Sequence, residues 1–265
     1  MDKVCLTIAG LDPSGGAGII ADVKTFSAFG CFAAAAVTSL TFQNTSGVFG
    51  AVNQSAKTVR EQVEPVLKDF EVSALKTGML PTREVIETTA DLIEEFGLTN
   101  LVVDPVVRST SGFDLIDDAA LRSLIETLFP LADIVTPNLP EAERITGFKL
   151  SDPASVEIAA AAMRSMGAQN VLIKGGHLES INVERIARDF LFLGDEIIVL
   201  DAEYIETTST HGTGCTLSAA IAANLALGKP IAEAVQVAKD FVHHGIRTAP
   251  ELGHGNSPVN IRSVI

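Results

Sequence analysis

The segment Thr210-His-Gly-Thr-Gly-Cys-Thr216 carries the strongest chemical signal in the chain. It opens an apolar helical stretch, and two glycines around one small residue let backbone amides converge on one point. A helix N-terminus adds N–H groups without intrahelical partners and the positive end of the helix dipole. Gly212, Thr213 and Gly214 are therefore candidates for an anion hole suited to a transferring phosphoryl group, whose charge spreads over its equatorial oxygens. A glycine-rich helix start that binds nothing has the same pattern. Cys215 lies in the first turn, where a thiol is expected to have a lowered pKa and to accept a hydroxyl proton. The plainer reading of Cys215 is a small buried apolar residue.

Other polar residues recur just after apolar runs. The turn Gly10-Leu-Asp-Pro-Ser-Gly-Gly-Ala-Gly18 contains a GxGxxA match, yet no Asp or Glu ends the second strand to hold a ribose; that position reads Thr41-Phe-Gln-Asn44. A Walker A loop fails as well, because Val23 stands where its second glycine belongs. Asn138-Leu-Pro-Glu141 begins a helix, so Asn138 serves as an N-cap, or Glu141 and Asp104 hold magnesium through water. Lys174, before Gly175-Gly176, reads as a phosphate contact or as a solvated loop lysine. His177, His211, His243, His244 and His254 form no metal pattern.

The elements that must hold these residues alternate between short apolar runs and helix-period segments, as in a parallel α/β sheet. Strands are expected at 4–8, 33–40, 74–77, 101–103, 134–135 and 171–173, with a hairpin over 189–200 broken at Gly194-Asp195. Helices are expected from the first Gly-rich turn to about Phe29, at 56–69 behind a Ser55 cap, and from Pro81 in a first-turn position. Others run from an Asp117 cap to about Leu128, from Asp152-Pro153 to about Met166, from Thr213 to Leu227 and from Ile231 to about Thr248. Gly228-Lys-Pro230 separates the last two. Asp12, Gln43, Lys76, Asp104, Asn138 and Lys174 fall after strands or turns, where the ligand crevice of an open α/β sheet lies. They are expected to share one site.

The chain of 265 residues has 47% hydrophobic and only 5% aromatic content, so its core must be aliphatic. A formal net charge of -14 argues against nucleic acid, which requires a basic surface. Three cysteines without paired spacing point to a reducing compartment. The opening residues read as a strand rather than an export signal, and polar residues interrupt the Ala-rich stretch near Ala33, so the expected address is cytoplasmic, without a membrane partner. No repeat or long linker divides the chain, and one domain over 1–265 is expected.

Seven motifs together resemble the hydroxymethylpyrimidine and hydroxymethylpyrimidine-phosphate kinase family of thiamine biosynthesis. They are Thr7-Ile-Ala-Gly-Leu-Asp-Pro-Ser-Gly-Gly-Ala-Gly18, Ala21-Asp-Val-Lys-Thr-Phe26, Gln43-Asn-Thr45, Lys76-Thr-Gly-Met79, Thr136-Pro-Asn-Leu-Pro-Glu-Ala142, Lys174-Gly-Gly-His177 and Thr210 to Thr216, in the family's order. The resemblance implies a ribokinase-like three-layer α/β/α fold with a mostly parallel central sheet, ATP with magnesium, and two successive phosphoryl transfers to the pyrimidine. It implies that Gln43 reads the aminopyrimidine edge, for which an amide offers donor and acceptor. Ala17, Met79 and Val106 would line the ring, with Gly10 and Asp12 beside them. Cys215 would act as the base and Gly212 to Gly214 as the anion hole. Lys174, Asn138 and Thr210 would serve the nucleotide, and Asp104 and Glu141 the metal. A homodimer is implied too. A pyridoxal kinase of the same family is the nearest alternative, and a ligand-sensing protein without catalysis is another. The chain departs from the family at Thr110, where lysine is usual and Arg108 lies nearby, at Ser257 in place of glycine, and at Ile261 in place of histidine.

Overall fold

The computed structural model describes residues 2–107, 115–175 and 186–262. Its strands are β1 (Val4–Leu11), β2 (Phe32–Asn44), β3 (Gly47–Asn53), β4 (Val72–Thr77), β5 (Leu101–Val103), β6 (Ile134–Val135), β7 (Asn170–Lys174), β8 (Ile186–Leu193) and β9 (Glu196–Glu203). The helices are α1 (Gly18–Ala28), α2 (Ala56–Asp69), α3 (Arg83–Phe96), α4 (Asp118–Ser123), α5 (Leu139–Thr146), α6 (Pro153–Ser165), α7 (Thr213–Ala226) and α8 (Ile231–Arg247).

The sheet order is β3-β2-β1-β4-β5-β6-β7-β8-β9. Pairings from β2 through β7 are parallel, and β3, β8 and β9 add antiparallel edges. Side chains alternate across a strand. Leu6, Leu75 and Val103 accordingly pack under α2 to α6, against Val59, Val85, Leu121, Ile145 and Val156. Cys5, Ala74 and Val102 face the other way, against Ala21, Phe26, Ile221 and Phe241 of α1, α7 and α8. Strands buried on both faces read as unbroken apolar runs, which is why they were legible. The result is the expected three-layer α/β/α arrangement.

Local signals placed most elements. The Ser55 hydroxyl accepts from Thr58 N at 3.1 Å and starts α2 at Ala56 as expected. Two expectations need correction. Helix α3 begins at Arg83 with Thr82 as its cap, so Pro81 precedes the cap instead of occupying the first turn. Strand β2 does not stop at Leu40 but continues to Asn44, because β3 pairs with it antiparallel. Strand β3 escaped the sequence reading since Gly47 and Gly50 interrupt its pattern and it borrows its regularity from β2. The helix behind Asp117 reaches Leu128 as expected, with α4 continuing into a π-helical last turn, Leu124–Leu128.

From β1 the chain proceeds to β2 on one side, and the sheet continues through β4 on the other. This reversal creates a crevice at the carboxyl ends of β1 and β4. No helix among the described residues is long and apolar enough to cross a membrane.

Candidate active site

A cavity of about 1010 Å³ opens at that crevice, and every site residue predicted above lines it. Gln43 and Met79 lie toward the β2 and β4 end, Thr210 to Cys215 at the centre, and Asn138, Glu141 and Lys174 along the far wall. The cavity is also lined by Ala187, Ala202, Val242 and Ile246, which carry no motif and were not predicted. Arg108, Thr110, Gly176 and His177 lie outside the described residues.

The two Gly-rich turns nest into each other. Gly212 has φ +82°, and a Cβ there would lie 1.8 Å from the Gly16 carbonyl oxygen; one on Gly16 would lie 2.3 Å from the His211 ring. The glycines thus allow two backbones to touch as well as freeing amides. Gly212→Ala is expected to push the turns apart and lower kcat about 10²-fold, the usual result of an ångström-scale misplacement. Steady-state kinetics on folded enzyme checks this; an unchanged kcat would separate the nesting from the reaction.

Asp12 lines the cavity and also ties the first Gly-rich turn together. Its carboxylate accepts from Ser14 N at 2.8 Å, Ser14 Oγ at 2.7 Å and Ala17 N at 2.8 Å, and pairs with His211 Nε2 at 2.8 Å. Burial opposes ionisation, but the hydrogen bonds from His211 and Ser14 prevail and hold its pKa down at about 2. An anion so committed fixes the turn.

Cys215 sits in the first turn of α7, near the start of α1, where the Gly18 backbone N–H favours its thiolate. Its thiol pKa is nevertheless raised, to about 11, not lowered. Burial outweighs the helix end and the nearby Lys76 ammonium, and the Asp22 and Asp104 charges add to it. Lys76 lines the cavity as its place after a strand led us to expect, whereas Asp22 was not among the predicted site residues. Both are wholly buried, with Nζ 2.9 Å from Asp22 Oδ2, an oxygen that also accepts from Thr7 Oγ1 at 2.6 Å. Burial would lower the Lys76 pKa, but the Asp22 charge, backed by Cys215 and Asp104, holds it above its ordinary value. A Cβ on Gly78 would come within 2.8 Å of Lys76 Nζ, so that glycine makes room for the ammonium.

Lys174 Nζ lies 3.1 Å from Asp104 Oδ1, and a Cβ on Gly214 would stand 3.3 Å from the same nitrogen. The lysine therefore faces the start of α7. Ser218 Oγ donates to Asp104 Oδ2 at 3.3 Å, a contact that no sequence signal announced. Asn138 and Glu141 form a capping box: Asn138 Oδ1 accepts from Glu141 N at 2.9 Å, and Glu141 Oε2 from Asn138 N at 2.8 Å. Burial pushes the Glu141 pKa up to about 7; Lys174 opposes the shift and Asp104 adds to it. No cluster of three or more His, Cys, Asp or Glu side chains suited to a metal occurs among the described residues.

A thiol, an amide-rich helix start and a lysine–carboxylate cluster meet in one cavity, an arrangement suited to phosphoryl transfer. A protein 47% identical over 263 residues, 98% of this chain and 97% of its own length, is a hydroxymethylpyrimidine/phosphomethylpyrimidine kinase from Rhizobium meliloti. The phosphomethylpyrimidine kinase of Clostridium difficile superposes with a TM-score of 0.81 at 40% identity, over 92% of this chain and 100% of that one. A Bacillus subtilis pyridoxal kinase, solved with ADP, gives a TM-score of 0.90 at 36% identity over 99% and 98%. The family model for phosphomethylpyrimidine kinase matches residues 12–260. From Asp12 to Asn260, this chain is a kinase that belongs to the phosphomethylpyrimidine kinase family.

Proposed function

We propose that this chain transfers the γ-phosphoryl group of ATP to the hydroxymethyl oxygen of 4-amino-5-hydroxymethyl-2-methylpyrimidine, and then a second one to the resulting monophosphate, in thiamine diphosphate biosynthesis. The observation that carries this reading is the meeting of Gln43, Cys215 and the Gly212–Gly214 turn in one cavity. Gln43 pairs with the aminopyrimidine edge, over a ring floor of Ala17, Met79 and Val106, with Gly10 alongside. Backbone amides from Gly212 to Gly214 hold the transferring group, and Lys174 draws the phosphate chain toward them. The acceptor oxygen bonds to the γ-phosphorus as the bond to the bridging oxygen breaks, and Cys215 receives the hydroxyl proton. Thr210 and Asn138 border the nucleotide, whose base lies against the apolar lining at Val242 and Ile246.

Magnesium suits Asp104 and Glu141, two buried carboxylates that flank Lys174 in the cavity. When bound, the ion neutralises charge on the β- and γ-phosphate oxygens. Residues 1–265 act as one kinase domain. A homodimer is supported by the exposed apolar side chains Phe42, Phe49 and Val52 on the β2–β3 hairpin. A cytoplasmic location is supported by the free thiols of Cys5, Cys31 and Cys215.

An acceptor panel with ATP and magnesium, read by product mass, tests the reading. Turnover of both pyrimidines with slower use of pyridoxal is expected. The likeness to the pyridoxal kinase keeps that aldehyde as the second candidate; preference for it, or inertness toward the monophosphate, would overturn the pyrimidine assignment. Gln43→Met should weaken pyrimidine use more than pyridoxal use, measured as the ratio of kcat/KM values. Equal losses would mean that Gln43 does not read the ring.

A further inference from the structure

Gln43 stands near the tip of the β2–β3 hairpin, whose turn is Thr45-Ser46 between paired Asn44 and Gly47. A two-stranded hairpin holds its tip poorly without further support. Here the support comes from the far end of the chain. Thr45 Oγ1 accepts from His254 N at 3.3 Å and Gly255 N at 3.2 Å, and the Thr45 carbonyl accepts from Asn256 N at 2.8 Å. The approach leaves no space for side chains. A Cβ on Gly253, which has φ +80°, would lie 2.3 Å from Thr45 Oγ1, and one on Gly255 would lie 2.1 Å from the Thr45 oxygen.

The same segment continues to the anion hole. The Ser257 carbonyl accepts from His211 N at 3.2 Å, and Val259 N donates to the His211 carbonyl at 3.4 Å. Ser257 Oγ accepts from Leu252 N at 2.9 Å and folds the segment on itself. Val259 and Ile261 are buried in the core beneath α7 and α8, which anchors its end. From His211 the path runs through Asp12 to Ala17 N. A continuous hydrogen-bonded strap thus joins the residue two positions after Gln43 to the residue before Gly212.

We propose that Thr45 is a specificity-determining positioning residue, which holds Gln43 at a set distance from the Gly212–Gly214 turn through the strap 251–260. The inference rests on the assignment of Gln43 as the ring reader. The strap touches no reacting atom; it fixes where the pyrimidine edge is read relative to where phosphorus is held. Ser257 and Ile261, the two departures in this tail, supply a strap hydrogen bond and its core anchor.

Thr45→Val keeps the shape and removes the hydroxyl acceptor. It should raise KM for hydroxymethylpyrimidine about tenfold, the scale of one or two lost hydrogen bonds, leave KM for ATP unchanged, and narrow the preference over pyridoxal by a similar factor. Thr45→Ser should restore both altered values, and Gly255→Ala should reproduce the defect by wedging the strap away. If Thr45→Val and Gly255→Ala lower Tm but move neither the acceptor KM nor the preference ratio, the strap is only a brace and the inference is wrong. Gly255→Ala and Thr45→Ser still decide the matter if the valine variant does not fold. Gln43→Met separates the two readings. A changed ratio there with none at Thr45 sinks the strap alone, whereas no change at Gln43 removes the ring reader and this inference with it.

Discussion

Replacing Cys215 by alanine is expected to lower kcat for the hydroxymethyl acceptor by about 10²–10⁴-fold, the usual worth of a positioned general base, with little change in its KM. The thiol is held near pKa 11, so it is almost wholly protonated at neutral pH, and the reactive thiolate is a minor species. The sign of the pH dependence follows. Because the pKa is raised, kcat/KM should climb with pH through the neutral range toward about 11, and Cys215→Ala should flatten that rise. The second transfer should behave differently. A phosphate monoester has a second pKa of about 6 and at pH 7 already presents an oxygen without a proton. Its phosphorylation has no hydroxyl proton to remove, so Cys215→Ala should cost it far less. Equal losses for both acceptors, in single-turnover assays, would show that the thiol acts by shape and not as a base.

Lys76→Met is expected to cost about 3–5 kcal/mol of stability, because it strands the Asp22 carboxylate in the core. In a chain of this size that corresponds to a fall in Tm of roughly 10 °C. Asp22 already has one buried oxygen, Oδ1, without a partner, and keeps only the Thr7 hydroxyl when the ammonium goes. The stability that Lys76 itself contributes is present below its unfolded pKa of about 10.4 and is lost as pH rises through its higher folded value. The pair also reaches the thiol with opposite signs. Lys76 lowers the Cys215 pKa and Asp22 raises it. Alkylation of Cys215 at a fixed pH should therefore slow in Lys76→Met and quicken in Asp22→Asn, although both lose stability. A shift in the same direction in both would trace the effect to loosened packing rather than to charge.

These effects could not have been read from the chain alone. Lys76 and Asp22 are 54 positions apart, His211 and Asp12 are 199 apart, and Gly255 and Thr45 are 210 apart. No periodicity connects residues at such distances. The pKa of Cys215 shows the same limit. A helix N-terminus argues from local sequence for a lowered value, but burial and two carboxylates brought in by β5 and α1 reverse the sign. Asp12 was legible as a polar residue beside a glycine turn, but its four partners, and so its structural part, were not.

The sequence by itself determined what local forces decide. Buried strands declared themselves as apolar runs, Ser55, Asp117, Asn138 and Asp152 marked helix starts, and the glycines of the 210s marked an amide-rich turn. Order along the chain then determined that the polar residues following those strands would meet at one end of a parallel sheet. The tertiary structure alone decided how they meet: which carboxylate pairs with which ammonium, which glycine is needed because another backbone lies against it, and which strand exists only through its partner. Those outcomes depend on desolvation and close contact between distant segments, and both arise only once the layers have packed.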